Sequence, residues 1–73
     1  MKYHVIICEI ATGEVTHLQL SKKYSELFDQ KFNEDMNFEE FYKEYLYDKV
    51  GIDLSMTVWV VSENFSLNSK IIE

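Results

Sequence analysis

The stretch MNFEEFYKEYLYDKVG, residues 36–51, constrains this chain more than any other. Phe38, Phe41, Tyr42, Tyr45 and Leu46 stand at i, i+3, i+4, i+7 and i+8, one apolar stripe of an α-helix, with Val50 at its edge. Both ends are signalled. Asn37 is an N-cap type, Glu40 follows three residues later as in a capping box, and Met36 can staple against Phe41. Gly51 suits the left-handed position beyond the last turn, and Lys49 lies where a cation favours the helix dipole. The rest of the chain reads as organised around this helix.

Seventy-three residues, 47% of them hydrophobic, make one domain spanning 1–73. That is near the lower limit for a core without staples, and the eleven Phe, Tyr and Trp residues suit it, because each aromatic buries a large area. The one cysteine, Cys8, has no partner for an internal disulfide, so an oxidising compartment is not implied. The N-terminal segment, broken by His4 and Glu9, does not read as a signal peptide, and no apolar run approaches a membrane span. A cytoplasmic protein that does not enter the membrane is expected.

Net charge is −6, every basic residue is Lys, and there is no Arg. A nucleic-acid binder shows a basic footprint and uses Arg for bidentate contacts, so direct DNA or RNA binding is not expected. The charge is concentrated. Between Glu26 and Asp53 stand nine acids against Lys31, Lys43 and Lys49, while the flanks nearly balance.

Residues 3–10, YHVIICEI, read as a strand, and EVTHLQL after Ala11-Thr12-Gly13 as a second. Gly in the third place of a three-residue hairpin loop sets Ile10 opposite Glu14, Cys8 opposite Thr16 and Ile6 opposite Leu18. One face then carries Ile6, Cys8, Ile10, Leu18 and Leu20, and the other Tyr3, Val5, Ile7, Val15 and His17. A two-residue Thr-Gly loop would pair Val5 with Leu20 and Cys8 with His17, but Thr tolerates positive φ poorly.

Ser21 can cap a first helix, with Tyr24, Leu27, Phe28 and Phe32 as its stripe. Lys22 and Lys23 oppose the dipole in its first turn, so a weak or delayed start is expected. Asn33-Glu34-Asp35 ends it. After the second helix SMTVWVVS is a strand apolar on both faces, and ENFSLNSKIIE is read as a fourth strand in preference to a short helix or a docked tail.

The outline is β-β-α-α-β-(β), an α+β fold in which a small, mostly antiparallel sheet carries both helices on one face. The third strand should lie beside the first, making the first central. The uncovered face must find cover, and Tyr3, Val5 and Ile7 are the residues assigned to it, with the tail or a second copy of the chain above them.

No constellation carries chemistry. His4, Cys8 and His17 are the soft-metal candidates, but the favoured hairpin puts His17 on the opposite face from the other two, and zinc needs three or four converging ligands. Cys8 sits mid-strand without an adjacent base. The acids lack the alternating spacing and central glycine of a calcium loop, and Gly13 and Gly51 have turn duties. No catalytic residue, metal or cofactor is expected, and no enzyme.

The outer side of the second helix is more informative. On a regular helix Tyr47 falls about 180° from Phe38, among Glu40, Lys43 and Glu44. An aromatic inside an acidic rim is the composition of a contact aimed at a basic protein surface, with Glu39, Glu40, Glu44, Tyr47 and Asp48 as its residues. In size and acidity the chain is similar to small phage-encoded inhibitors, including some anti-CRISPR proteins. That likeness implies nucleic-acid mimicry, in which carboxylates on a rigid scaffold stand in for phosphates. The alternative is an oligomer-forming accessory or regulatory subunit joined through an apolar sheet face or an edge strand.

Overall fold

The computed structural model describes residues 3–72 and places the elements in the expected α+β order. Strands β1 (His4–Glu9) and β2 (Val15–Gln19) form a hairpin, followed by helix α1 (Lys22–Asn33). The second helix comprises α2 (Phe38–Phe41), a π turn (Tyr42–Leu46) and α3 (Tyr47–Val50). A 3₁₀ turn (Leu54–Met56) then leads into β3 (Thr57–Ser62). The sheet order is β2-β1-β3, antiparallel throughout, so β1 is central as its two apolar faces suggested. Among the described residues no helix is long and apolar enough to cross a membrane.

The helix ends follow the sequence signals. Ser21 Oγ accepts from the Tyr24 N–H at 3.3 Å, and Asn37 Oδ1 accepts from the Glu40 N–H at 2.9 Å. Despite Lys22 and Lys23, α1 starts immediately after its cap. Ser25 Oγ adds a bond to the Leu20 carbonyl at 3.2 Å, and Lys23 Nζ lies over the Tyr24 ring, which offsets the unfavourable dipole contact. At the other end of α1, the Asp35 N–H donates to Phe32 O and the Met36 N–H to Lys31 O. These are the two bonds of a Schellman motif, and they place Asp35 at its left-handed position with φ 66°.

The core is one cluster between the helices and one face of the sheet. Val5, Ile7, Phe41 and Tyr42 are fully buried in it, with Phe28, Phe38, Leu46, Leu20 and Leu54 around them. Phe28 meets Phe38 edge-on at 5.6 Å and Tyr3 edge-on at 5.2 Å between ring centroids, and Phe38 packs on Trp59 at 5.2 Å. Tyr3 also donates through its hydroxyl to Asp29, tying β1 to α1.

The hairpin departs from both registers considered. Glu9 and Glu14 close it, with the Glu9 N–H bonded to Glu14 O at 2.9 Å and the Gly13 N–H to Glu9 O at 2.8 Å. Four residues, 10–13, form the loop, and Gly13 takes φ 72° in its fourth place rather than its third. Ile10 is drawn into the loop from the β2 side because its N–H bonds to Met56 O and extends the pairing with β3. The register is therefore Val5↔Leu18, Ile6↔His17, Ile7↔Thr16 and Cys8↔Val15. A one-residue slip turns every β2 side chain to the other face.

Two corrections follow. Val5 and Ile7, assigned to the uncovered face, lie fully buried beneath the helices, and Tyr3 is half-buried against the same core. The face left open is the other one. Residues 63–72, read as a fourth strand, lie outside the sheet, with Leu67, Ile71 and Ile72 exposed.

Candidate functional site

The π turn decides what the second helix shows to its surroundings. The Tyr47 N–H bonds to the Tyr42 carbonyl, closing on the fifth residue rather than the fourth. One extra residue is absorbed, so each later position lags by about one residue, roughly 100°, behind its regular α-helical place. Tyr47 therefore does not stand opposite Phe38. It leans edge-on against Tyr42 with ring centroids 6.4 Å apart, beside Lys43, Asp53 and Leu54, in a shallow cleft of about 220 Å³. The expected aromatic anchor within an acidic rim is thus divided: Tyr47 and Lys43 lie on the Asp53 side. The same lag brings Asp48 round to follow Glu40 and Glu44, and all three are exposed. Glu39 is also exposed, on the side that Lys43 and Tyr47 share.

Beneath this cleft the Tyr42 hydroxyl donates to the Ile52 carbonyl at 2.6 Å. Burial pushes the Tyr42 phenol above its ordinary value of 10.0. Asp53 caps the 3₁₀ turn, its Oδ1 accepting from the Ser55 N–H at 2.9 Å. Hydrogen bonds from Ser55 hold this carboxyl below its ordinary value of 3.8, helped by the charge of Lys43. These groups hold the loop after the second helix in place.

The open face of the sheet is a second surface. Going along β1, its cross-strand rows are His4 with Gln19 and Ser62, Ile6 with His17 and Val60, and Cys8 with Val15 and Val58. Ile10 and Met56 continue it beyond the strand ends. Val15, Val58 and Val60, on the two outer strands, are 64%, 65% and 54% exposed, where the wet face of an antiparallel sheet usually carries polar residues. None of these residues is an acid or a lysine. The sequence already showed β3 to be apolar on both faces; the hairpin register assigned the wrong side of β1 to the surface.

At one end of this face the two histidines meet. His17 shares a face with His4, contrary to the expected hairpin, and His4 Nδ1 lies 2.8 Å from His17 Nε2. Phe65 stacks on His17 at 4.1 Å between ring centroids and covers this end of the sheet. Cys8 lies two residues along β1 from His4 as a half-buried free thiol. Among the described residues no three His, Cys, Asp or Glu side chains converge as a metal would require. Set against known proteins, the chain matches no family model, no curated relative and no solved structure.

Proposed function

We propose that this chain is a non-enzymatic protein-binding module that presents the acidic outer side of its second helix to a basic protein surface. The observation that carries the reading is the line of Glu40, Glu44 and Asp48, all exposed and drawn towards one side of the helix by the π turn, with Lys43 beside Asp53 in the neighbouring cleft. Successive members lie four residues apart, about 6 Å along the helix axis. Along a DNA strand each phosphate advances about 3.4 Å, so every second phosphate lies about 6.8 Å on. A groove lined with Lys or Arg to hold a nucleic-acid backbone would accept this line in its place, which makes the protein an inhibitor of the nucleic-acid-mimic type. The chain itself is acidic and would be repelled by DNA or RNA, so the partner is a protein. The lone thiol of Cys8 suits a reducing cytoplasm.

The test is capture of partners from native cells by the wild-type chain and by the Glu40→Lys/Glu44→Lys double variant. A partner held through this side is basic, is lost to the variant, dissociates as salt rises and is displaced by nucleic acid. Both positions are exposed, so the variant's melting temperature should stay near that of wild type. If the two chains bind the captured protein equally well, the acidic side is not the contact.

A further inference from the structure

We propose that the open face of the sheet is a self-association surface whose occupant is a second copy of this chain, with the C-terminal tail closing over the contact. The surface is separate from the acidic side of the second helix.

Charge selects the occupant. Each copy carries −6, so two copies repel through almost any pair of surfaces. The open face is the exception, since neither an acid nor a lysine stands among its cross-strand rows. A basic partner would find nothing there to pair with, whereas an identical apolar face meets its like without leaving a buried charge. A twofold contact needs one self-complementary patch, and an open β-sheet face with Val15, Val58 and Val60 exposed on its two outer strands is one.

Area brings in the tail. Three strands at about 4.8 Å and seven residues at about 3.4 Å give the sheet a footprint of roughly 350 Å². A stable complex buries about 800 Å² per partner, so the sheet alone is too small. Leu67, Ile71 and Ile72 are 83%, 88% and 94% exposed on a segment that starts at this face, where Phe65 stacks on His17. The molecule measures 46 Å along its longest axis against 23 and 20 Å for the others. A tail of this composition laid across the partner supplies the missing apolar area and covers residues that the monomer leaves in water.

The experiment is sedimentation equilibrium of the full chain from about 1 μM to about 1 mM, at low and high salt. The expected result is a monomer–dimer equilibrium that tightens as salt screens the repulsion between copies, the opposite of the salt response expected for a basic partner. Val58→Glu and Val60→Lys should each weaken the dimer at least about a hundredfold, because a twofold contact meets each substitution twice. The lysine variant lowers the net charge, so its effect cannot be ascribed to added repulsion. Alkylation of Cys8 should slow over the concentration range in which the dimer forms. A chain that stays monomeric throughout overturns the proposal. So does a dimer that both variants leave intact, or one whose Cys8 reacts at the monomer's rate.

Discussion

Replacing Tyr42 by Phe removes one oxygen atom and tests how the second helix is tied to the strand that follows it. The ring is fully buried, and its hydroxyl donates to the Ile52 carbonyl at 2.6 Å. Phe fills the same space, so no cavity opens and the change isolates the hydrogen bond. A typical net contribution is about 1 kcal/mol, and the carbonyl left behind adds part of its desolvation cost, limited because Ile52 is only half-buried. The sum is about 1–2 kcal/mol, against a total of roughly 4–11 kcal/mol for a chain of this length. With a urea slope near 1 kcal/mol per molar for so small a domain, the midpoint should fall by about 1–2 M at unchanged slope. The pH dependence gives a second readout. The folded state holds the Tyr42 phenol above its ordinary value, so the stability linked to it is fully present below that value and is lost as pH rises through the folded one. Wild type should therefore weaken above about pH 10, and Tyr42→Phe should lose that part of the alkaline limb. A variant with the wild-type midpoint and an unchanged alkaline limb would refute the assignment of this hydroxyl.

Two further substitutions test the turns. Asp35 occupies a left-handed position where glycine is usual, so Asp35→Gly should stabilise the fold by about 0.5–1 kcal/mol, read as a higher urea midpoint; a lower midpoint would show that its side chain makes a contact that outweighs the backbone strain. Asp53→Ala should lower the melting temperature at neutral pH and flatten the acid limb. The Asp53 carboxyl is held below its ordinary value, so its contribution is present above that value and disappears as pH falls through the folded one; an acid limb identical to wild type would rule this out.

The helices were legible in the sequence because their signals are local. Ser21 and Asn37 cap the segments that follow them, and the stripe Phe38, Phe41, Tyr42, Leu46 is the buried one. A cap is written in two or three residues, and an amphipathic stripe repeats often enough to average out noise. The π turn left no such trace. Its phase shift comes from one backbone hydrogen bond closing on the fifth residue, and nothing in YKEYL announces it. Tyr47 was therefore placed opposite Phe38; it is exposed, as expected, but its ring leans on Tyr42. The acidic line survived the shift because Glu40, Glu44 and Asp48 lie at spacings that an inserted residue brings closer to one side.

The faces of the sheet were harder to read, for a reason that bears on function. Strand parity is decided by contrast between an apolar side and a polar side. Here β1 offers Val5 and Ile7 against Ile6 and Cys8, and β3 offers Trp59 and Val61 against Val58 and Val60, so the contrast is nearly absent. The hairpin loop then had to settle the matter, and Ile10 moved the register by pairing towards β3 instead of β2. A strand covered on one side only keeps polar residues on the other, as antiparallel sheets with a wet face generally do. A chain of 73 residues with few apolar side chains to spare has placed Ile6, Val15, Val58 and Val60 where no helix reaches them. The lack of contrast that hid the register is thus the pattern expected of a sheet covered on both sides, which is what the proposed self-association would provide.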